Sequence, residues 1–371
     1  MGYMGAFKKG REIKSPVSGV SYRIQRVLGQ GGFGTAYLAD ELNRRGKPAD
    51  MVCLKTTLDQ ASWHRESYFG ELLRRSKRAI QTLDSFPLMP KGGRSAIQYC
   101  LVLELAEHGT VADYLEKTGK AWTPARAKRE IIALLRMLDQ LHGASATHRD
   151  ITPMNIFVCG NGTLKLGDFG IARHQLAGAP QTVDAFNPAF VTAGMASDAR
   201  RYWQTADDVY QMGQLLAMLL RGDPQTIVKP RMVDSLGLED GLKAIVKRAI
   251  GPRKKRYADA FEMLQALVGD KVSGADQAPL RSLVDKTVVF TGPLNIKRFD
   301  AEVLVLQSGG KVAKEVNKDV DVVVQGGRSP HYKGGHKGRK LLAAEKLAKK
   351  GQKITFIGEA EFRRLTRQEA N

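Results

Sequence analysis

The chain is long enough for more than one domain and carries a large positive charge. It has 371 residues, with 58 Lys and Arg against 38 Asp and Glu, and thus a formal net charge of +20. The hydrophobic fraction of 43% and the charged fraction of 26% are ordinary for globular proteins and exclude a collagen-like or wholly disordered chain. The positive surplus favours anionic partners such as nucleic acids or acidic proteins.

The spacing of the cysteines and the lengths of the apolar stretches indicate the cellular compartment of the protein. Cys53, Cys100 and Cys159 are far apart in the sequence, which argues against a disulfide framework or a zinc site and favours a reducing cytosol. The longest apolar stretches, such as residues 215–220, are much shorter than the roughly 20 residues that cross a bilayer. We therefore expect a cytoplasmic protein without a membrane segment.

The first part of the chain predicts strands followed by helices. After a basic N-terminal extension over residues 1–20, which we expect to be loose, the segments 22–28, 35–38 and 51–54 predict an antiparallel meander. Helical periodicity follows over residues 61–83, 124–142, 206–221, 238–250 and 257–267. A β-rich beginning and a helical body predict two lobes.

A second domain is predicted at the C-terminus. Residues 271–282 are polar and contain Gly and Pro, which indicates a linker. Beyond it, strand patterns alternate with helical ones. The strands are predicted at 287–290, 311–313, 320–324 and 354–357, and the helices at 299–307, 338–350 and 361–365. This alternation predicts a small α/β domain over residues 283–371, with a parallel sheet covered by helices.

Gly29, Gly31 and Gly34 have the spacing G-x-G-x-x-G. The same letters occur in dinucleotide-binding folds and in plain tight turns, so the motif alone is weak. Here the chain continues as a strand and not as a helix, which favours a hairpin lying over nucleotide phosphates. A Cβ at these positions would block the approach of backbone N–H groups to phosphate oxygens.

Lys55 ends the apolar strand 51–54, where its ammonium can reach the α- and β-phosphates of a nucleotide. An acidic residue of the next helix should hold that ammonium in place. Glu71 and Glu66 both fit, and the position of Glu71, sixteen residues after Lys55, favours Glu71.

Two further strings supply oxygen groups for phosphoryl transfer. Asp150 follows His148 and Arg149, and Asn155 comes five residues later. This pattern provides a carboxylate that accepts a hydroxyl proton and an amide oxygen that binds Mg²⁺. Asp168 begins an Asp-Phe-Gly string after a strand-like segment, and it adds a second hard oxygen ligand for magnesium.

With these motifs in this order, residues 21–270 resemble a eukaryotic-like (Hanks-type) serine/threonine protein kinase domain. The resemblance implies an α+β bilobal kinase fold that binds ATP and Mg²⁺ and transfers the γ-phosphoryl group to protein hydroxyls. It implies that Asp150 is the catalytic base and that Asn155 and Asp168 are metal ligands. The other implied site residues are Gly29, Gly31 and Gly34 in the phosphate loop, Lys55 and Glu71 as an ion pair, Leu103 as the gatekeeper, Glu104 to Ala106 as the adenine-binding hinge, and Asp208 beneath the catalytic loop.

Three positions depart from the kinase pattern. Thr152 stands where such kinases usually have a lysine for the γ-phosphate, and Asn187 replaces a threonine of the substrate-docking loop. Gly194 stands where the family has a glutamate, so Arg256 is expected to lose its usual carboxylate partner. The alternative to an active enzyme is therefore a pseudokinase scaffold that binds nucleotide without transferring phosphate.

Arg149 directly precedes Asp150 and resembles the arginine that holds a phosphate of the activation loop in regulated kinases. The loop from Ile171 to Gly194 contains Thr182 and Thr192 as hydroxyl acceptors. We expect Thr182 to be the autophosphorylation site, with the phosphate bound by Arg149 through charge-assisted hydrogen bonds.

Residues 286–368 resemble a BRCT domain, closest to the type found in bacterial DNA ligases. The resemblance implies that Thr291, Gly292 and Lys340 stand where phosphate-binding members hold a phosphate. Three partners stay open here: a phosphoprotein, a protein bound without phosphate, and DNA bound through the lysine-rich segment. DNA engagement as the main role of the chain, with the kinase domain regulating it, is a further alternative. The protein substrate is not indicated.

Overall fold

The computed structural model describes most of the chain, and its residues form two compact units. The described residues are 7–31, 34–89, 96–144, 146–174, 190–191, 203–268, 280–294, 296–326 and 339–368. The first unit comprises Met1–Gly119 and Asp150–Ala172, and the second comprises Lys120–Arg149 and Arg173–Asn371.

The elements of the described residues are as follows. The strands are β1 (Glu12–Lys14), β2 (Ser21–Gly31), β3 (Gly34–Leu42), β4 (Pro48–Thr57), β5 (Thr82–Leu88), β6 (Gln98–Glu104), β7 (Ala146–Thr147), β8 (Ile156–Val158), β9 (Leu164–Leu166), β10 (Arg173–His174), β11 (Thr287–Thr291), β12 (Lys311–Ala313), β13 (Val322–Gln325) and β14 (Thr355–Gly358). The helices are α1 (Gln60–Leu72), α2 (Val111–Thr118), α3 (Pro124–Gly143), α4 (Thr205–Arg221), α5 (Pro230–Val233), α6 (Asp240–Ala249), α7 (Ala260–Val268), α8 (Arg298–Gln307), α9 (Arg339–Lys349) and α10 (Glu359–Gln368).

A six-stranded antiparallel sheet dominates the first unit, with the strand order β1-β2-β3-β4-β6-β5. Alternate side chains of β2, including Tyr22 and Ile24, are buried in a core with Tyr37, Leu54 and Val102. This alternation is the period of two that a strand with one buried face requires. The sheet contains the predicted meander, and it places Lys55 beside the hairpin formed by β2 and β3.

The expectation that residues 1–20 are loose is wrong for the described residues of that segment. β1 pairs with β2 in antiparallel register, with Ile13 opposite Tyr22. Phe7 is buried, and its ring stacks on Tyr37 at a centroid distance of 5.3 Å. The backbone N–H of Phe7 donates to the Tyr37 hydroxyl at 3.0 Å. Burial of Phe7 and Ile13 stabilises this segment by a few kcal/mol. The many basic residues of the segment did not indicate this burial in the sequence.

The helix predicted over residues 61–83 is shorter than expected. The carboxylate of Asp59 caps α1 by accepting from the N–H groups of Ala61 and Ser62, and the helix ends at Leu72. Ten residues later the chain enters β5, which pairs with β6. Pairing of β5 with the sheet satisfies its backbone groups, and this tertiary gain outweighs the local helical pattern.

The second unit is built around α4, which is buried from Ala206 to Leu220. Helices α3, α6 and α7 pack against it. The same unit contains a four-stranded parallel sheet with the strand order β12-β11-β13-β14. This sheet agrees with the strand and helix alternation of the C-terminal sequence. Nowhere in the described ranges does the structure have a helix that is long and apolar enough to cross a membrane.

The C-terminal sheet packs closely on the helices of its unit. β14 lies against α7, and α10 lies against α3. A Cβ atom added to Gly358 would lie 2.9 Å from the Cβ of Phe261, so the two backbones approach more closely than a side chain would permit. The predicted linker falls largely outside the described residues, and the predicted boundary between two domains stays a prediction.

Candidate active site

A buried ion pair joins the sheet to α1 in the first unit. Nζ of Lys55 lies 2.5 Å from Oε1 of Glu66 and 3.2 Å from Oδ1 of Asp168. β4 brings Lys55 to this point, and the second turn of α1 brings Glu66. The side chains of Lys55 and Glu66 are 15% and 8% exposed, so the two charges interact with little screening by water.

The prediction that Glu71 pairs with Lys55 is wrong. Glu71 is exposed and forms a surface ion pair with Arg74 at 3.0 Å. Because an α-helix turns by about 100° per residue, Glu71 lies about 140° around the helix from Glu66. In the structure Ser62, Glu66 and Phe69 share one helical face and are all buried. The only signal for this in the sequence is the helical spacing of Glu66 from the apolar Phe69, three residues later. The second turn of α1 brings Glu66 level with Lys55.

Asp168 lies beside Lys55 and is the residue of the Asp-Phe-Gly turn with a positive φ of 57°. Burial alone would raise its pKa, but the Lys55 ammonium and hydrogen bonds from Glu66, Lys55 and the Gly170 N–H lower the pKa of Asp168 to about 2. Burial and the Asp168 charge raise the pKa of Glu66, while the Lys55 ammonium at 2.5 Å stabilises its ionised form. Asp168 is therefore the more strongly ionised of the two carboxyl groups, as a metal ligand must be.

Asp150 and Asn155 form the second part of the site. The Asn155 amide nitrogen donates to Oδ2 of Asp150 at 2.7 Å and to its carbonyl oxygen at 3.0 Å. These two bonds occupy the amide nitrogen, so the amide oxygen of Asn155 is the atom left to bind a metal. Burial, followed by the charge of Asp168, raises the pKa of Asp150 to about 7, which is the range in which a general base works near neutral pH.

The glycine motif lies at the turn between β2 and β3. Gly29 pairs with Ala36, and Gly31 pairs with Gly34. A Cβ on Gly29 or Gly31 would meet open space. A Cβ on Gly34 would lie 1.9 Å from the carbonyl oxygen of Thr56, and Gly34 has a φ of +124°. Gly34 is thus required by packing, whereas a side chain at Gly29 or Gly31 would have room among the described residues.

The predicted adenine-binding segment follows β6. Leu103 pairs with Cys53 of β4, and the carboxylate of Glu104 accepts two bonds from Nζ of Lys165 at 2.6 and 2.7 Å. The Glu104 N–H donates to the Gln81 carbonyl, and the Ala106 carbonyl accepts from the Gly109 N–H at 3.0 Å. These contacts hold the segment that the sequence assigned to the hinge.

In the second unit, the carboxylate of Asp208 in α4 accepts four hydrogen bonds. The Asp208 carboxylate accepts from the N–H groups of His148 and Arg149, at 2.8 and 2.9 Å, and from Nε1 of Trp203 at 2.9 Å. Nδ1 of His142 accepts from a backbone N–H, so Nε2 carries the proton and donates to Asp208 at 3.1 Å. Against the effect of burial, these bonds lower the pKa of Asp208. The two residues that precede Asp150 are thereby held by one buried carboxylate.

Arg256 has a carboxylate partner other than the one that Gly194 replaces, namely Asp207 of α4. Nη1 of Arg256 lies 3.4 Å from Oδ1 of Asp207, and Nη2 of Arg253 lies 2.6 Å from Oδ2 of Asp207. Arg256 also donates to the Gly251 carbonyl at 2.8 Å and lies over the ring of Tyr210. Since Asp207 and Arg256 are 49 residues apart, no local pattern could have paired them.

The remaining kinase positions are partly described. Arg149 is fully buried, with a positive φ of 75°, and its Nε donates to the Thr147 hydroxyl at 3.2 Å. Thr152 is buried, and its N–H donates to the Asp150 carbonyl at 3.0 Å. Thr182, Asn187 and Gly194 lie outside the described residues, so the expected contact between Arg149 and Thr182 stays a prediction.

The C-terminal candidates lie at the ends of parallel strands. Thr291 ends β11 and is buried, and Gly292 follows it with a φ of 77°. The Gly292 carbonyl accepts from Nη2 of Arg298 at 2.7 Å. Lys340 of α9 donates to the carbonyl of Lys314, which comes directly after β12. Since β11 and β12 run parallel, their ends lie at the same edge of the sheet.

Comparison with known proteins identifies the class of this site. A family model described as "Protein kinase domain" matches residues 22–267. Serine/threonine-protein kinase PknA of Nostoc sp. is 27% identical over 270 residues, covering 66% of this chain and 46% of PknA. Serine/threonine-protein kinase F of Synechocystis sp. is 28% identical over 279 residues, covering 67% of this chain and 55% of that protein.

A human relative, named SNF-related serine/threonine-protein kinase, is 29% identical over 223 residues, covering 60% of this chain and 28% of that protein. The chain thus spans about half or less of the length of these three relatives. The antiparallel sheet of the first unit and the helices of the second unit fit the two-lobed fold of the matched family.

Proposed function

Since the chain belongs to the protein kinase family and carries the domain of an ATP-dependent serine/threonine kinase, we propose that it phosphorylates serine or threonine hydroxyls of a protein. The observation that carries the proposal is the contact between Lys55, Glu66 and Asp168 beside the pair of Asp150 and Asn155. Three free cysteines are consistent with action in the reducing cytoplasm.

In the proposed mechanism, Asp150 accepts the proton of the attacking hydroxyl group. Its pKa of about 7 leaves an ionised fraction near neutral pH that can accept the proton as the bond to phosphorus forms. Asn155 orients the Asp150 carboxylate through its amide nitrogen. The hydroxyl oxygen attacks the γ-phosphorus, and the bond to the bridging oxygen of ADP breaks, so ADP leaves with that electron pair.

The same residues position the nucleotide. The Lys55 ammonium, held by Glu66, is the proposed cation for the α- and β-phosphates, and the hairpin that contains Gly29 and Gly31 is the proposed cover of the phosphate chain. Asp168 and the Asn155 amide oxygen are hard oxygen ligands that suit magnesium. Bound magnesium would neutralise charge on the phosphate oxygens. Thr152 adds no positive charge, so Lys55 and the metal have to compensate for the charge of the transferred group.

Quantitative phosphoproteomics tests the proposal and identifies substrates in one experiment. Cells that express the wild-type chain are compared with cells that express Asp150→Asn. A set of serine or threonine sites should lose most of its phosphate in the variant. Identical phosphoproteomes, together with a lack of phosphate transfer by the purified chain, would contradict the proposal.

We further propose that the C-terminal residues recruit the kinase to a phosphorylated protein. Support comes from the edge at which β11 and β12 end, where Thr291, Gly292 and Lys340 offer hydroxyl, N–H and ammonium donors. Such donors bind phosphate through charge-assisted hydrogen bonds. From residue 276 onward the chain has 19 basic and 11 acidic residues, and this excess of eight positive charges favours an anionic partner.

Fluorescence anisotropy with phosphorylated and unphosphorylated forms of one peptide library tests the recruitment proposal. The full chain should bind the phosphorylated peptides at least tenfold more tightly, and Lys340→Glu should remove the difference. Lys349→Glu, in the same helix α9, is the matched control. Equal affinity for both peptide forms would contradict the proposal. Tight binding of duplex DNA, with affinity falling steeply as salt rises, would assign this surface to DNA instead.

A further inference from the structure

One face of α1 contacts the Asp-Phe-Gly turn at three levels. The Glu66 carboxylate reaches Asp168 through the Lys55 ammonium. One helical turn further along, the ring of Phe69 stacks on Phe169 with a centroid distance of 5.8 Å. At the N-terminal end of the same face, a Cβ on Gly170 would lie 2.5 Å from Oγ of Ser62. The helix α1 and the Asp-Phe-Gly turn are therefore packed closely against each other.

Arg65 adds a polar contact that neither motif includes. Its Nε donates to the carbonyl oxygen of Gly170. The N–H of Gly170 in turn donates to Oδ1 of Asp168 at 3.3 Å. Two successive hydrogen bonds through Gly170 thus connect Arg65 of α1 with the Asp168 carboxylate. Because a guanidinium is planar and remains charged, it fixes the direction of such a bond more firmly than an ammonium can.

We propose that Arg65 is a positioning residue for phosphoryl transfer, which holds the turn of residues 168–170 so that the Asp168 carboxylate keeps the orientation needed for magnesium. This inference rests on the kinase activity proposed above. A displacement of about 1 Å at a reacting centre lowers rates by up to about 100-fold.

The side chain of Arg65 is distinct from the ion pair of Lys55 and Glu66. Arg65 contacts the backbone of the turn, whereas Glu66 contacts the ammonium. Loss of Arg65 therefore leaves Lys55 paired, and ATP affinity in the absence of metal should change little. The effect should appear in steps that depend on Asp168, namely the magnesium requirement and kcat.

The test uses the full chain with Arg65→Ala and Arg65→Lys, and with Arg74→Ala as the matched control, because Arg74 forms an exposed ion pair with Glu71. Amide hydrogen exchange without nucleotide measures the contact directly. The amides of Gly170 and Ala172, which donate to Asp168 and to the Phe169 carbonyl, should exchange at least fivefold faster in both Arg65 variants. Thermal midpoints of all variants are measured alongside.

Kinetics then test the consequence for catalysis. Arg65→Ala should lower kcat about tenfold and raise the half-saturating magnesium concentration at least threefold, with the KM for ATP within twofold of wild type. Arg65→Lys should lie between Arg65→Ala and wild type, and Arg74→Ala should match wild type. Unchanged exchange, or a fall in kcat without a change in magnesium requirement, would overturn the proposal. A wild-type chain that transfers no phosphate would refute the kinase activity, while the exchange experiment would still decide the contact.

Discussion

Lys55 and Glu66 form a buried ion pair with Nζ and Oε1 2.5 Å apart, and Glu71 has no part in it because it pairs with Arg74 on the surface. Removal of the Glu66 charge should release the ammonium from its position over the phosphates. We expect Glu66→Gln to lower kcat/KM for ATP about 100-fold. Glu71→Gln should stay within twofold of wild type. Steady-state kinetics on both variants measure kcat/KM for ATP. A larger loss in Glu71→Gln than in Glu66→Gln would contradict the assignment of Glu66 as the partner of Lys55.

The three glycines of the hairpin should respond differently to alanine. Gly34→Ala should lower the free energy of unfolding by about 2 kcal/mol or more, because its φ is positive and its Cβ would overlap the Thr56 carbonyl. Gly31→Ala should leave the free energy of unfolding within about 1 kcal/mol of wild type and weaken ATP binding instead. Urea denaturation and calorimetry on both variants measure the two quantities. Equal losses of stability would be incompatible with the described turn.

The buried carboxylate of Asp207 should stabilise the second unit through Arg253 and Arg256. Asp207→Asn keeps an acceptor for the Gln204 N–H, at 2.9 Å in the wild type, but removes the negative charge beside Arg256 and Arg253. The free energy of unfolding should fall by about 3 kcal/mol, as for a broken buried pair.

The control for this ion pair is Asp223→Asn, which removes a partly exposed partner of Arg221 at 3.3 Å and should cost less than about 1 kcal/mol. The double variant Asp207→Asn with Arg256→Met should be less destabilised than the sum of the single changes. Strict additivity in urea denaturation would show that Asp207 and Arg256 act independently, against this account.

A pH dependence of stability follows from Asp259. Burial, and then the charge of Asp139, raise the pKa of Asp259 to about 7, and its Oδ2 is buried without a hydrogen-bond partner in the described part of the chain. A carboxyl group whose pKa is raised by folding stabilises the protein while protonated. This contribution is complete below the unfolded pKa of about 4 and is lost as pH rises toward 7.

Asp259→Asn mimics the protonated acid and keeps the bond from the Glu262 N–H that caps α7. The variant should be more stable than wild type by about 2 kcal/mol at pH 8, and the gap should close toward pH 5. Asp59→Asn, which makes the same substitution at the exposed cap of α1, serves as the control. Calorimetric midpoints from pH 5 to 8 measure the gap, and a constant difference across that range would contradict the assignment.

Short motifs were sufficient to name Lys55, Asp150, Asn155 and Asp168, because each lies in a local string whose residues act within a few positions of one another. The partner of Lys55 was predicted wrongly, since it depends on which face of α1 meets β4, and the number of residues after Lys55 does not determine that face. The strand β1 was missed because its two buried apolar residues are surrounded by basic ones.

Sequence patterns could not predict contacts between residues that are far apart in the chain. Asp207 contacts Arg256, which is 49 residues away in the sequence, and Arg65 contacts Gly170, which is 105 residues away. Both contacts depend on how helices pack, which is decided by the whole core and not by local periodicity. The parallel C-terminal sheet, by contrast, could be predicted, because its strands and helices alternate at the spacing that crossover connections require.

The central claim is that Asp150 accepts a proton while the neighbouring residues hold Mg-ATP. Transfer of labelled γ-phosphate from ATP, measured with purified full-length chain and magnesium, tests it most directly when wild type is compared with Asp150→Asn. We predict that the variant binds ATP within threefold of wild type by calorimetry and transfers phosphate about 1,000-fold more slowly. Equal transfer rates in the two proteins, or nucleotide binding by wild type without any transfer, would contradict the account.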